Sequence, residues 1–434
     1  MKKSKYTIFF NGANGTRLAF NFFTCQLSEV YDDFMLLYEN IEQVVYTSNC
    51  PNSSLIRSMI EGGYVIDNSI DELEILKMRY YSGKCDSSSF SLIIAPTMDC
   101  NFGCPYCYET RQTTYLSNEV EDRIVAFVSG LAASVRKINV VWYGGEPLLA
   151  YSIISRMSAK MIEACQACST EYTATMISNG YLFDRIDIST FKELKINNVQ
   201  ITVDGPEEIH NKRRYLINKH LPTFSKIIAN LHLLESHGIM FNIRINVDNT
   251  NINHVDELLA FLKDNQLDSH PVSFGHIREF NRPLKELTKD LCSKQQYTNI
   301  NMILHSKLID LNFTSARIIC PQIKKTYCAA NCLQSLVIDP GGDLYKCWND
   351  IGYINKSVGN ILTSESGGKS QYNDYTLFNP FSDCDCVDCI MLPVCMGGCV
   401  FDRMNSKSFK CMENINNVIV GLLDAYSNID VRNV

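Results

Sequence analysis

Nineteen cysteines are spread unevenly along this 434-residue chain, and ten of them fall between Cys320 and Cys411. A secreted disulfide scaffold explains such density in a short chain. This chain is long and groups its cysteines at ligand-like spacings, which points to metal or cluster ligation in a reducing compartment. The stretch 320–411 is otherwise rich in Gly, Asp and Pro, with little apolar periodicity. Bound metal can order such a stretch in place of a large core.

Composition narrows the classes further. Hydrophobic content of 46% and charged content of 20% fit a globular protein of two or three domains. The net charge of -7 argues against a general nucleic-acid binder. The apolar runs are too short to span a bilayer. Met1-Lys2-Lys3-Ser4-Lys5 resembles the start of a signal peptide, but Asn11-Gly12-Ala13-Asn14-Gly15 interrupts any apolar core behind it. The expectation is a cytoplasmic protein with no membrane and no nucleic-acid partner.

Residues 1–88 begin with a hairpin, Tyr6–Phe10 and Arg17–Phe23 around an Asn14-Gly15 turn, followed by helices near 28–45, 53–61 and 69–81. They form a winged-helix-like module. From 89 to about 280, strands at Ser91–Pro96, Asn139–Tyr143, Thr173–Ser178, Val199–Val203, Phe241–Val247 and Val272–His276 alternate with helices. Six such units predict a parallel sheet with right-handed crossovers, in the form of a partial (β/α)6 TIM-like barrel. The helical stretch 281–319 follows, and a helix over about 412–427 closes the chain. The predicted divisions are 1–88, 89–310 and 311–434.

Cys100-Asn101-Phe102-Gly103-Cys104-Pro105-Tyr106-Cys107 directly follows the first strand of that barrel. Active sites gather where barrel strands end. A [4Fe–4S] cluster normally takes four thiolates; three on one loop would leave one iron open. Three reduced thiols, or a zinc site short of a ligand, would give the same spacing. Gly144-Gly145-Glu146-Pro147 ends the second strand, Ser178-Asn179-Gly180 the third and Asp204-Gly205 the fourth, while Arg244 lies on the fifth.

This succession resembles the radical S-adenosylmethionine (SAM) superfamily. The resemblance implies that Cys100, Cys104 and Cys107 hold a [4Fe–4S] cluster whose open iron chelates SAM and whose electron cleaves it to a 5′-deoxyadenosyl radical. Gly144, Gly145, Glu146 and Pro147 would meet the SAM amino group, and Ser178 and Asn179 its ribose and carboxylate. Arg244 would pair with the carboxylate, for which a guanidinium is suited. The segment Asp204–Arg214 resembles one that follows the fourth strand in this branch. It reads equally as a solvated turn with a helix cap.

The C-terminal cysteines resemble the SPASM extension of that superfamily. By that resemblance the region 311–434 binds two auxiliary [4Fe–4S] clusters, which with the first make three. Cys332, Cys347 and Cys399 would ligate one, with Cys328 as fourth ligand and Cys320 as runner-up. Cys386, Cys389, Cys395 and Cys411 would ligate the other. A pair of zinc knuckles uses similar spacing, and Cys384 could shift the register.

Enzymes of this branch mainly modify peptides and proteins. One group oxidises a Ser or Cys of a sulfatase to formylglycine and carries an aspartate directly after the second SPASM cysteine. Here that place is taken by Trp348, with Asp350 two residues on. The favoured expectation is therefore an oxidoreductase that installs a thioether or C–C crosslink in a ribosomal precursor peptide. The module 1–88 would grip the peptide's leader as an added strand, and a flavodoxin or ferredoxin would supply electrons. Formylglycine formation is the alternative, and a non-enzymatic iron–sulfur protein a third. No catalytic base is legible.

Overall fold

The computed structural model describes residues 1–12, 15–47, 52–218, 220–281, 283–284, 287, 289–313, 321–363, 370–405, 411 and 415–432. The chain divides into two compact units. The first joins Met1–Cys85 to Arg317–Cys328 and Phe378–Val434; the second joins Asp86–Ala316 to Ala329–Leu377. The stretch 311–434 thus contributes to both.

The first unit opens with β1 (Lys2–Lys3), β2 (Thr7–Asn11), β3 (Arg17–Asn21) and β4 (Gln26–Glu29), followed by α1 (Asp32–Glu39), α2 (Ser53–Glu61), β5 (Val65–Ile66) and α3 (Glu72–Lys84). β2, β3 and β4 form an antiparallel meander, and β1 pairs with β5. The expected hairpin is present, although Asn14 lies outside the described residues. Three helices follow three meander strands, as the sequence suggests. Asn21 is the polar hub of this part. Its amide nitrogen donates to Ser4 Oγ, Thr7 Oγ1 and the Gly63 carbonyl, and its oxygen accepts from the Phe23 and Thr24 amides. Asp71 caps α3 by accepting from the Leu73 and Glu74 amides.

The second unit is built on a nine-stranded sheet. Its strands are β6 (Ser89–Ile94), β7 (Lys137–Trp142), β8 (Glu171–Ser178), β9 (Ile196–Thr202), β10 (Met240–Val247), β11 (Val272–His276), β12 (Ser335–Ile338), β13 (Asp343–Tyr345) and β14 (Gly359–Asn360). β6 to β11 lie side by side in sequence order, all parallel. β12 joins the outer edge of β6 in parallel, and β13 and β14 follow antiparallel. The sheet does not close, because the edge of β6 is occupied by β12. Helices fill the connections: α4 (Asn118–Ala132), α5 (Tyr151–Ala167), α6 (Thr190–Glu193), α7 (Glu207–Arg213), α8 (Phe224–Ser236) and α9 (Val255–Asp264), then α10 (Lys294–Asp310) and α11 (Ser370–Thr376).

Strand alternation explains both the core and the site. Phe90, Leu92, Ile94, Ile138, Val140, Trp142, Ala174 and Met176 are buried on one face, in a core shared with Ile124, Val128, Ile154 and Met161 of the helices. Each of these side chains larger than alanine contributes roughly 1.5–3 kcal/mol by leaving water. The intervening positions are largely polar: Asn139, Thr173, Thr175, Gln200, Thr202, Arg244 and Asn246. A sheet with one polar face is preparing a cavity, not a second core.

The chain returns to the first unit with α12 (Cys384–Val387), α13 (Leu392–Cys395), α14 (Val400–Asn405) and α15 (Ile415–Arg432), the last being the expected closing helix. Leu392, Val394, Met396 and Leu422 pack with Tyr6, Phe20, Phe22, Leu76 and Tyr80. No described helix is long and apolar enough to cross a membrane.

Candidate active site

The turns after β6, β7 and β8 are bound to one another. Gly145 and Glu146 donate their amides to the Thr97 and Asp99 carbonyls, at 3.2 and 2.8 Å. A side chain on Gly144 (φ 102°) would strike the Thr97 carbonyl oxygen at 2.4 Å, and one on Gly145 the Asp99 oxygen at 2.2 Å. The glycine pair is what lets the second turn lie against the cysteine loop. On its other side that loop is fastened by the Gly103 amide to the Tyr215 carbonyl and the Ile217 amide to the Asn101 carbonyl.

Cys100, Cys104 and Cys107 line one cavity of about 310 Å³, together with Gly144, Gly145, Ser178, Asn179, Gln200, Thr202 and Arg244. The strand-end residues singled out by sequence therefore converge. Glu146 is fully buried and is not in the lining. Its carboxylate accepts from the Asn179 amide at 2.7 Å, Ser178 Oγ at 2.9 Å and the Leu148 amide at 3.0 Å. It ties the second turn to the third, and burial pushes its pKa up to about 7 against those three donors. Pro147 is buried at the start of a 3₁₀ turn, where its missing N–H costs nothing.

Two arginines border the cavity, Arg214 buried and Arg244 partly so. Arg244 donates a 3.3 Å hydrogen bond from Nε to Asn246 Oδ1, and desolvation lowers its pKa. Gly275 makes room for it, since a Cβ there would sit 2.3 Å from the guanidinium. Arg214, which the sequence reading placed only within a doubtful segment, donates from Nη1 to the Tyr106 hydroxyl at 2.7 Å, and its Nε is buried without a partner. Among the described residues neither guanidinium forms an ion pair with a carboxylate. A buried cation in that state favours an incoming anion.

Beneath them Asp204 accepts from the Tyr106 hydroxyl and, at 2.8 Å, from the Asn246 amide. Arg213 pairs with Asp248 at 2.8 Å, and His210 accepts the Asp204 amide at Nδ1. The Asp204–Arg214 segment thus anchors the aromatic residue of the cysteine loop, and only its last residue reaches the cavity.

Glu109 was not anticipated. Among the described residues it is the one carboxylate in the lining and its Oε2 has no hydrogen-bond partner; burial pushes its pKa up to about 7. Two positions past a cysteine, nothing in the sequence distinguishes it from a loop carboxylate. Aromatic rings complete the wall: Tyr108 against Phe280 (centroids 5.0 Å apart) and Tyr143 against Trp348 (5.8 Å). Asp350 does not reach the cavity. Tyr375 donates to it at 2.7 Å and Asn281 at 2.9 Å.

In the first unit, Cys386, Cys389, Cys395, Cys399 and Cys411 line a single hollow. Left-handed conformations at Met396, Gly397 and Gly398 turn the chain between Cys395 and Cys399. Cys384 is exposed and outside that lining. Cys332 and Cys347 belong to the second unit, where the buried Lys346 amine donates to the Cys332 and Ser335 carbonyls, both at 2.6 Å. Cys328 belongs to the first unit, and Cys320 lies outside the described residues. Among the described residues no three His, Cys, Asp or Glu side chains converge as a single ion would require; the cysteines surround hollows instead.

The profile of the radical SAM superfamily matches residues 94–262, which carry the three-cysteine loop and the strand ends facing it. The chain is an enzyme with a radical SAM domain. Members of this superfamily use a [4Fe–4S] cluster and S-adenosylmethionine (AdoMet), and the site fits both: three thiols share its cavity with two guanidiniums that, among the described residues, pair with no carboxylate. A cysteine-type anaerobic sulfatase-maturating enzyme of Clostridium novyi (strain NT) is 25% identical over 340 residues, covering 72% of this chain and 88% of that protein. A serine-type counterpart from Bacteroides thetaiotaomicron is 22% identical, covering 70% of this chain and 81% of that protein. Among solved structures, native anSMEcpe with bound AdoMet and Cp18Cys peptide superposes with a TM-score of 0.60 at 22% identity, over 79% of this chain and 99% of that one. Streptococcus suis SuiB bound to its precursor peptide SuiA gives 0.54 at 15% identity, over 94% of this chain and 97% of SuiB. These two structures share its fold.

Proposed function

We propose that this enzyme modifies a ribosomally made precursor peptide by installing a thioether or carbon–carbon crosslink. The observation that carries this reading is the cavity wall at Trp348. Where a formylglycine-forming enzyme would need an aspartate, an indole stacks on Tyr143. The nearby Asp350 is already held by Tyr375 and Asn281. The likeness to SuiB, which was solved with a precursor peptide, supports the same reading.

Cys100, Cys104 and Cys107 would hold a cluster that, with SAM bound, would supply a 5′-deoxyadenosyl radical able to remove hydrogen from carbon. The chain's own residues position and shield that chemistry. Arg244 and Arg214 would take the SAM carboxylate; Gly144 and Gly145 would admit its amino end closely; Ser178 and Asn179 border the same space, with Glu146 and Pro147 bracing the turn. Tyr108, Tyr143, Phe280 and Trp348 would exclude water from the substrate side. Cys328, Cys332, Cys347 and Cys399 would hold one auxiliary cluster and Cys386, Cys389, Cys395 and Cys411 another, giving three. The module 1–88 would hold the leader by adding it as a strand, and tethering raises the local concentration of the segment to be modified. A flavodoxin or ferredoxin would deliver electrons.

The second reading, formylglycine formation, is favoured by the sulfatase-maturating relatives. One experiment separates the two. Anaerobically reconstituted enzyme receives SAM, reductant and either a precursor peptide encoded beside its gene or a sulfatase-derived Cys peptide. Loss of about two hydrogens per link in the precursor, abolished by Cys100→Ala, Cys104→Ala and Cys107→Ala, is expected. Formylglycine in the sulfatase peptide with an unchanged precursor would reverse the ranking.

A further inference from the structure

One side chain at the second auxiliary set has no part in the proposal above. Arg403, on α14, is held in three directions. Its Nε donates to the Gly397 carbonyl at 2.6 Å, its Nη1 to Asp383 Oδ2 at 2.7 Å, and its Nη2 to Cys386 Sγ at 3.0 Å. Asp383 also caps α12, accepting from the Asp385 and Cys386 amides. The same carboxylate therefore fixes both the cysteine and the guanidinium that touches it. The Arg403 side chain is only 17% exposed, so its charge is incompletely screened by water. It lines the hollow shared by Cys386, Cys389, Cys395, Cys399 and Cys411.

We propose that Arg403 is a positioning residue that raises the reduction potential of the cluster held by Cys386, Cys389, Cys395 and Cys411, by hydrogen-bonding the Cys386 sulfur. This rests on the reading that those four cysteines hold an iron–sulfur cluster. A reduced cluster carries one more negative charge than an oxidised one. A fixed cation with an N–H aimed at a ligand sulfur stabilises the reduced state more, and the potential rises. The planar fork matters as well as the charge, because three separate acceptors are met in one geometry. The effect falls with distance and is largest at the cluster whose sulfur Arg403 touches. A cluster poised in that way is suited to accept an electron from the substrate.

The test uses full-length enzyme with Cys100, Cys104 and Cys107 changed to Ala, loaded with iron and sulfide, so that only auxiliary clusters are observed. Redox titration followed by electron paramagnetic resonance gives their midpoints. Arg403→Gln is expected to lower one midpoint by at least a tenfold change in the reduction equilibrium, about 59 mV, with iron content unchanged and the other signal moved by less. Arg403→Lys, which keeps the charge and loses the fork, is expected to shift the same signal by less. Unmoved midpoints in iron-replete variants would overturn the proposal and leave the cluster reading intact. If Arg403→Gln sheds iron, Arg403→Lys decides: a lowered midpoint supports the proposal and an unmoved one overturns it. A Cys386→Ala, Cys389→Ala form that loses no iron and no signal would overturn the cluster reading itself, and the role of Arg403 with it.

Discussion

Trp348 and Tyr143 stack with ring centroids 5.8 Å apart and planes within 25° of parallel, joining the turn after β13 to the turn after β7. Both line the cavity that holds the three cysteines. If this pair seats the peptide, Trp348→Ala will leave SAM cleavage running but uncouple it. The expected result is a ten- to hundredfold drop in modified peptide per 5′-deoxyadenosine, since misplacement by about 1 Å costs rate on that order. Trp348→Phe should retain most of the coupling. The two products, quantified together by mass spectrometry, check this; equal coupling in Trp348→Ala and wild type would remove the ring pair from peptide binding.

Arg244 and Arg214 compete for the same assignment. A charge-assisted hydrogen bond contributes about 1.5–3 kcal/mol, so the arginine that holds the SAM carboxylate should weaken SAM binding roughly ten- to hundredfold when changed to Met. Calorimetric titration of SAM into cluster-loaded enzyme ranks the two. Arg214→Met carries a second expectation, because Arg214 also supports Tyr106: the cysteine loop should lose iron faster than in Arg244→Met.

Much of this was legible from residue spacing. The three-cysteine loop, the strand ends and all six parallel strands follow from local patterns that need only a few consecutive residues. Arg214 and Glu109 were not legible, because their roles arise from a fold that places residues from separate loops around one cavity. Glu146 shows a subtler limit. Its position at a strand end could be read, but its use as a brace between Ser178, Asn179 and Leu148 could not. The first unit is the extreme case: Tyr6 packs with Leu392 and Met396, a pairing with no local periodicity behind it. The discontinuous division of 311–434 between two units was hidden for the same reason.

The pKa of Glu146 sets a pH dependence for the protein without cofactors. Burial raises it from 4.5 to about 7, so the fold prefers the protonated form. That contribution is complete below about pH 4.5 and is lost as pH rises through 7, amounting to on the order of 3 kcal/mol. Glu109 acts in the same direction. Urea midpoints should therefore fall between pH 5 and pH 8, and Glu146→Gln should flatten part of that slope. A Gln variant with the wild-type slope would show that the carboxylate is already ionised in the fold.

Asn21 makes a structural prediction for the leader-binding proposal. Asn21→Ala leaves the Phe23 and Thr24 amides and the Gly63 carbonyl without their partner. At roughly 1–3 kcal/mol per buried orphan, the loss should be about 3 kcal/mol or more, concentrated in residues 1–85. Hydrogen exchange locates it. SAM cleavage in the absence of peptide should survive, whereas peptide modification should decline.

β12 occupies the edge of β6 that a closing strand would need. A cylinder sealed by backbone hydrogen bonds admits only what can pass through its ends. Here the end strands β11 and β14 pair with no further strand among the described residues. If the guest is a peptide, an open sheet does not require it to present a free terminus, and the number of modifications would then be set by the length of the guest instead of by an enclosure around it.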